Sequence, residues 1–370
     1  MVSDILRSVT VKSLLKRSWL LPEMFVPSGQ AQFLKSLERF PIHWFLKFAK
    51  RSLFFHLVFP LIDRGKECQY IEDYHQKILW INLAAPSLGD SLMDLAARTL
   101  LANRQITLLT HSKNATLYVN DDFFERVVAS VSDIRLILKS EKFDLVICDS
   151  YSPRVLLKKA AATPGIPFVG IYGFLNGFEV HRTYYAFARM AELLRLDRID
   201  VPIRPVLSIP TKNFSHTENF DVCIAVGGEW PFRTYDHWLS VVRWMGRKGF
   251  KVSLVGSSNG CTQASEITKS EPHVRSTVGQ LSLAEVIAEI SRCQVFIGAD
   301  GGLWHIACSI PTPSVVLFAD CQMFDKSGTR VTRETKDMVC EVLYDDADVS
   351  NIPPATVISA FAKILDRLSR

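Results

Sequence analysis

From residue 77 onward, short continuous apolar segments alternate with segments of helical spacing. The apolar segments, each long enough for one buried strand, cover residues 78–83, 106–109, 145–148, 168–171, 222–226, 252–255, 295–297 and 314–318. Fully apolar strands separated by helices are typical of a parallel sheet covered by helices on both faces. We therefore predict an α/β fold with two doubly wound, Rossmann-like domains that face each other across a cleft.

The helical segments and the breaks between them set the expected domain boundaries. Helical spacing covers residues 91–101, 181–196, 237–247, 283–292, 303–309 and 352–368. The segment at 283–292 follows Ser282 with Glu285 three residues later, which predicts a capping box. Residues 201–210 contain several prolines, which indicates a link between two domains. We therefore expect an N-terminal domain over residues 77–212 and a C-terminal domain over 213–350. A helical extension over residues 1–76 precedes them, and a final helix within 351–370 follows.

The positive charge of the chain is confined to its N-terminal part. Residues 1–66 contain eleven Lys and Arg against four Asp and Glu, a net charge of +7, whereas residues 67–370 contain 32 against 34, a net charge of −2. The near-neutral body argues against a nucleic-acid partner. The basic, aromatic-rich extension fits an anionic membrane surface, or it packs as a helical subdomain on the body or on a second subunit.

Composition excludes several other classes. With 48% hydrophobic residues among 370, the chain has enough apolar mass for two cores and is not typical of a disordered protein. The eight cysteines are scattered without a C-x-x-C motif, which indicates a reducing, cytoplasmic compartment. The longest apolar stretch, residues 52–62, is too short to span a bilayer as a helix. Any membrane contact is therefore expected to be peripheral.

Loops that follow predicted strands hold the candidate site, because ligands of open α/β sheets bind beyond the carboxyl ends of the strands. The first such loop contains Ser87, Gly89 and Asp90 at the start of a helix, where Asp is either a catalytic carboxylate or only a helix cap. A second loop enters the helix of residues 303–309 through two glycines, which suits a diphosphate or a simple turn. Its residues are Asp300, Gly301, Gly302, Leu303 and His305.

Two further loops complete the candidate nucleotide-sugar site. Gly228 and Arg233 follow the strand of residues 222–226, and Arg233 is either a bidentate phosphate donor or an ordinary surface residue. Ser257, after the strand of residues 252–255, can hydrogen-bond a ribose or merely help to turn the chain. The sequence contains no phosphate-binding loop of the G-x-x-x-x-G-K type and no zinc spacing, and we interpret Asp346-Ala347-Asp348 as a solvated turn.

Taken together, these loops resemble glycosyltransferase family 9, the ADP-heptose:lipopolysaccharide heptosyltransferases. The similar segments are residues 78–98, 181–194, 221–238, 251–256 and, most specifically, 296–318. The resemblance implies a GT-B fold over about residues 77–365 and a final helix that crosses back to the first domain. It leaves the N-terminal extension unexplained.

The resemblance also implies an inverting, metal-independent transfer without a cofactor. Asp90 would be the general base toward an acceptor, with Ser87 and Gly89 on the acceptor side. Residues 300–305 would hold the nucleotide diphosphate, although Gly301 replaces the family's usual hydroxyl residue and Arg233 matches the family's lysine only loosely. The donor would be ADP-heptose and the acceptor a lipopolysaccharide-type glycan. Alternatives are another nucleotide sugar, a protein acceptor, or a degenerate transferase that serves as a membrane-associated assembly partner.

Overall fold

The computed structural model describes residues 42–84, 86–174, 182–207, 220–319 and 338–370. The chain divides into two compact units: residues up to 86 together with 93–203, and residues 87–92 together with 204–370. The domain boundary expected at residue 212 lies outside the described residues, as do residues 1–41 of the extension and His181 at the start of a predicted helix.

The first unit contains a five-stranded parallel sheet in the order β3-β2-β1-β4-β5. Its strands are β1 (Lys77–Asn82), β2 (Gln105–Thr110), β3 (Arg126–Val128), β4 (Leu145–Ser150) and β5 (Phe168–Tyr172). Its helices are α1 (Ile42–Leu53), α2 (Phe59–Ile62), α4 (Ser112–Tyr118), α5 (Val131–Ile137), α6 (Pro153–Ala162) and α7 (Arg182–Leu193), with a π-helical turn at Phe54–Val58 and a 3-10 turn at Ala96–Leu101. Helix α3 (Leu88–Asp94) starts among the residues that pack with the second unit.

The second unit contains a six-stranded parallel sheet in the order β11-β10-β9-β6-β7-β8. Its strands are β6 (Val222–Ala225), β7 (Val252–Val255), β8 (Arg275–Ser276), β9 (Val295–Ala299), β10 (Ser314–Ala319) and β11 (Cys340–Asp345). Its helices are α8 (Trp238–Arg247), α9 (Cys261–Ser270), α10 (Leu283–Arg292), α11 (Gly302–Ser309) and α12 (Pro354–Leu368), with 3-10 turns at Pro231–Arg233, Ser258–Gly260 and Val349–Asn351.

In each sheet the first strand, β1 or β6, lies in the interior. The next strands in the chain are added on one side of it, and the later strands are added on its other side, so the direction of winding reverses at the first strand. In this arrangement the crevice at the carboxyl ends of these two central strands is the usual ligand position. The reversal points lie between β1 and β4 and between β6 and β9. The prediction of two doubly wound, Rossmann-like sheets is confirmed, and so is the capping box at Ser282.

The final helix, α12, contributes to the core of the second unit. Helix α12 buries Val357, Phe361 and Ile364 in the core of the second unit, where Phe361 lies edge-on to Phe250 with ring centroids 5.1 Å apart. An apolar stripe on a helix packs against the nearest available apolar surface, and here α8, β10 and β11 of its own sheet supply it. Within the second unit, the helix is therefore part of the core, and its crossing back to the first domain stays a prediction.

The described part of the N-terminal extension is built into the first unit. Phe55 and Phe59 are buried in its core, and the ring of Phe59 lies edge-on to Phe168 with centroids 5.5 Å apart. Farther along, Lys66 O accepts a hydrogen bond from Phe168 N, so this segment pairs with the edge of β5. Of the alternatives from the sequence, packing on the body is therefore confirmed for residues 46–68, and contact with a membrane is not tested.

Among the described residues, no helix is long and apolar enough to cross a membrane. No disulfide joins the seven cysteines that the structure describes. Both findings concern the described ranges only.

Candidate active site

The loop after β1 enters α3 at the residues that the sequence singled out. The helix expected over residues 91–101 begins earlier, at Leu88, and gives way to the 3-10 turn at Ala96–Leu101. Asp90 therefore lies in the first turn, where its backbone N–H donates to Ser87 Oγ at 3.3 Å. A carboxylate in this position is stabilised by the positive end of the helix dipole.

The loop after β9 enters α11 through Gly301 and Gly302. Gly301 is the N-cap residue that precedes the first helical residue, and as a glycine it has no side chain with which to cap this helix. The backbone of Gly301 is extended, and a Cβ atom there would meet only Ala299 O, at 3.8 Å. Because the first N–H groups of a helix have no partner within the helix, this end of α11 is suited to an anion.

The two loops lie against each other within the second unit. A Cβ atom on Gly89 would lie 2.4 Å from Cδ2 of His305, so only glycine allows the α3 backbone to approach this imidazole so closely. A Cβ atom on Gly302 would likewise lie 3.3 Å from Cβ of Leu88. The structure thus brings the predicted catalytic loop and the predicted diphosphate loop together.

Asp300 organises the polar groups beside the start of α11. Its Oδ2 lies 3.2 Å from Nη2 of Arg233, its Oδ1 lies 3.6 Å from Nε2 of His305, and its backbone O accepts from Arg233 Nη1 at 3.4 Å. The Arg233 side chain is about one-fifth exposed and the Asp300 side chain about one-eighth. Arg233 is thus positioned by Asp300, and a planar guanidinium is the kind of group that binds a phosphate through two parallel N–H donors.

Glycine and amide contacts hold the loops after β6 and β7. A Cβ atom on Gly228 would lie 2.7 Å from the backbone O of Arg233, so the turn that leads to Arg233 requires glycine. Asn259 Nδ2 donates to Gly228 O at 2.8 Å, and the exposed Ser257 donates from Oγ to Asn259 Oδ1 at 2.6 Å. Ser257 therefore supports the Gly228 turn through Asn259, and its role toward a ribose stays a prediction.

Sequence reasoning missed Asp149, a buried carboxylate near the end of β4. Its Oδ2 accepts hydrogen bonds from Leu83 N at 2.6 Å and Ala84 N at 2.5 Å, the first residues of the loop that leads to Asp90. Burial raises the pKa of Asp149 to about 7, against the opposing effect of these hydrogen bonds. An acidic residue at the end of an otherwise apolar strand was the signal that could have revealed it.

Asp149→Asn is expected to remove a pH dependence of stability. The pKa of Asp149 in the folded state lies above that of an unfolded Asp. The contribution of Asp149 to the free energy of unfolding is therefore largest at acidic pH, and it falls as the pH rises from about 4 to about 7, by at most about 1.4 kcal/mol per pH unit. Urea unfolding of wild type and variant over this range measures the effect, since other groups cancel in the difference. A difference, wild type minus variant, that grows with pH would contradict the raised pKa.

A second missed cluster fixes the other end of α3. Asp94 accepts from Tyr172 Oη at 2.7 Å and forms a bidentate ion pair with Arg182, whose Nη2 lies 2.7 Å from Oδ2. Burial and the neighbouring Asp94 carboxylate raise the pKa of Tyr172 well above its ordinary value. Asp94, at the C-terminal end of α3, is thus held by two side chains of the first unit.

The structure also describes the acidic turn after β11. Asp345 Oδ1 accepts from the backbone N–H groups of Ala347 and Asp348, both at 2.9 Å, and these bonds lower the pKa of Asp345. The interpretation of residues 346–348 as a turn is confirmed. Within the described ranges, no cluster of three His, Cys, Asp or Glu side chains could hold a metal ion.

Comparison with known proteins gives one family and a consistent fold. The family model of glycosyltransferase family 9 (heptosyltransferase) matches residues 179–339. The family 9 glycosyl transferase of Veillonella parvula is 16% identical and superposes with a TM-score of 0.66, over 80% of this chain and 99% of its own. No curated protein sequence matches the chain.

Two heptosyltransferases of Escherichia coli have the same fold. ADP-heptose lipopolysaccharide heptosyltransferase II is 17% identical, with a TM-score of 0.63 over 80% of this chain and 100% of its own. Heptosyltransferase WaaC, solved with ADP, is 13% identical, with a TM-score of 0.60 over 78% and 99%. At these identities the likeness establishes the fold, and the predicted GT-B class with its two parallel-sheet domains is confirmed.

Proposed function

We propose that this chain transfers a heptose from ADP-heptose to a hydroxyl group of a lipopolysaccharide-type glycan, because its residues 179–339 match the family model of glycosyltransferase family 9 (heptosyltransferase). The observation that carries the proposal is the contact between the loop of Asp90 and the N-terminus of α11, at Gly89 and His305. A transferase needs a base for the acceptor and an anion site for the leaving nucleotide, and this contact sets the two loops side by side.

Asp90 is the proposed general base. Its carboxylate takes the proton of the acceptor hydroxyl while that oxygen bonds to the anomeric carbon and the bond from this carbon to the diphosphate oxygen breaks. Attack on the face opposite the leaving group inverts the anomeric configuration, through a transition state with oxocarbenium character. Ser87, whose Oγ accepts from Asp90 N–H, fixes the first turn of α3 on the acceptor side.

The departing nucleoside diphosphate gains negative charge, which the start of α11 is placed to stabilise. Backbone N–H groups from Gly302 onward and the Arg233 guanidinium supply preorganised donors, which is the kind of stabilisation that contributes most to many enzymatic rates. In this scheme these groups perform the part that a divalent cation performs in other transferases, and the reaction uses no cofactor. Transfer is therefore expected to persist in EDTA, and its complete loss there would contradict the scheme.

A nucleotide panel tests the donor site. Since the proposed donor is ADP-heptose, ADP is expected to raise the melting temperature more than UDP, GDP or CMP. A ligand at 100 times its Kd stabilises the folded state by about 2.7 kcal/mol, which sets the size of the expected shift. The Gly301→Ser variant has room for its Cβ atom and adds a hydroxyl beside the proposed diphosphate, so we expect a larger ADP-induced shift. Hydrolysis of ADP-heptose without acceptor would be measured in parallel.

The outcomes of the panel separate the alternatives. A preference for another nucleotide would contradict ADP-heptose as donor and favour a different sugar, which the replacement of a hydroxyl residue by Gly301 makes the strongest alternative. Binding of ADP without transfer to glycan or protein acceptors would favour a degenerate transferase. No stabilisation by any of the four nucleotides would contradict the donor site itself.

A further inference from the structure

The helical segment formed by α1, the π-helical turn and α2 has an apolar side that is exposed at residues 46–62. Four leucines with 58–84% exposure lie at spacings of seven, four and four residues, which places them along one face. This leucine row consists of Leu46, Leu53, Leu57 and Leu61. Phe55 and Phe59 of the same segment are buried in the first unit, so the row lies on the side that faces away from that core.

The charge that surrounds the leucine row has a single sign. Lys50 lies between the leucines of the row, Arg64 and Lys66 follow the end of α2, and all three are exposed. Asp63 is the one acidic residue between positions 42 and 66, and its carboxylate is buried, 2.6 Å from Nζ of Lys159. The exposed surface of this segment is therefore aliphatic and cationic, without exposed acidic groups of its own.

We propose that the leucine row docks this protein onto a bilayer that contains anionic lipid. An amphipathic helix of this kind lies in the plane of the interface, with its apolar side chains about 5–10 Å deep and its cations among the headgroups. Each basic residue near an anionic surface adds about as much attraction as one buried methylene group. The proposal concerns location and does not depend on which sugar or nucleotide the enzyme uses.

The same charges argue against other occupants of the row. A second copy packed through the row would bring its own Lys50, Arg64 and Lys66 against those of the first. Residues 1–41 have six Lys and Arg against three Asp and Glu, so the net positive charge of this segment also disfavours its packing beside Lys50, Arg64 and Lys66. An anionic lipid surface satisfies both the apolar and the cationic side chains.

Vesicle flotation of the full chain tests the proposal. The wild type is expected to bind vesicles of phosphatidylcholine mixed with phosphatidylglycerol, and more weakly those of phosphatidylcholine alone. The double variant Leu57→Glu/Leu61→Glu should lose at least about tenfold in partitioning, because it places two charges at the apolar boundary. Leu136→Glu is the control, since Leu136 is a 60% exposed leucine of helix α5 and does not belong to the row.

Each outcome decides the proposal. Loss of binding in the row variant, with Leu136→Glu unchanged, supports it. Unchanged binding by the row variant, an equal loss in both variants, or no binding by the wild type would overturn it. Conversion of a wild-type dimer to a monomer by the row variant, without vesicle binding, would assign the row to self-association. Transfer to a soluble acceptor should survive in the row variant, which separates this test from that of the transferase.

Discussion

Asp90→Asn is expected to lower kcat by about 10²–10⁴-fold, the usual contribution of a positioned general base. The amide keeps the size of the side chain but does not accept the proton of the acceptor hydroxyl. Because Asp90 is proposed to act on the acceptor and not on the nucleotide, the ADP-induced rise in melting temperature should persist. Steady-state transfer with ADP-heptose and a glycan acceptor measures the effect.

A second aspartate in the same local setting separates catalysis from helix capping. Asp133 lies in the first turn of α5, and its backbone N–H donates to Ser130 Oγ at 3.2 Å, much as Asp90 N–H donates to Ser87 Oγ at 3.3 Å. Asp133→Asn should therefore match any loss of stability in Asp90→Asn while leaving kcat unchanged. Turnover by Asp90→Asn near the wild-type rate would show that Asp90 is only a first-turn carboxylate.

Continuous apolar segments identified the central strands of each sheet and the fully buried edge strand β5, but not the other three edge strands. All eight predicted strands are present, in β1, β2, β4, β5, β6, β7, β9 and β10. The three missed strands are β3, β8 and β11, each at the edge of its sheet. These three strands are covered less completely than β5, so they need no continuous apolar run. No residue of β3 or β8 is fully buried, β8 has only two residues, and Val342 and Tyr344 of β11 are exposed. The physical signal used for prediction is therefore absent where the strands were missed.

The candidate site was predictable where it depends on backbone chemistry. Glycines after strands and an Asp at a helix start identify residues 87–90 and 300–305 locally, because turn and helix-end requirements act over a few residues. The partners of these loops come from distant sequence. Asp149 reaches Leu83 and Ala84 only because β4 lies beside β1, and the pairing of two strands is a property of the fold.

The packing partners of the final helix and of the extension are also distant in sequence, so local patterns did not predict them. The family resemblance implies that the final helix crosses back to the first domain, but it does not indicate that the apolar stripe of α12 packs in the core of the second unit. The sequence also grouped residues 1–66 as one basic arm, although Phe55, Phe59 and Asp63 belong to the core of the first unit. Truncation at residue 66 would remove these core residues, so point substitutions test membrane contact more sharply than deletion.

Lys159→Met is expected to destabilise the first unit by about 3–5 kcal/mol, the cost of leaving one member of a buried ion pair uncompensated. Lys159 Nζ lies 2.6 Å from Asp63 Oδ2 and 2.6 Å from Ile166 O, and both side chains of the pair are fully buried. Oδ1 of Asp63 also accepts from the backbone N–H groups of Gly65 and Gly165. The variant strands a carboxylate that ties the extension to helix α6 and to the loop before β5.

Lys158→Met is the matched control for this pair, because it removes the same charge from the adjacent, exposed position of α6. Exposed substitutions of this kind usually change stability by less than about 0.5 kcal/mol. Urea unfolding followed by a probe in the first unit gives the comparison, and proteolysis of residues 42–66 should accelerate in Lys159→Met alone. If both variants unfold at the wild-type midpoint, the buried pair does not hold the extension, and the apolar contacts of Phe55 and Phe59 must hold it by themselves.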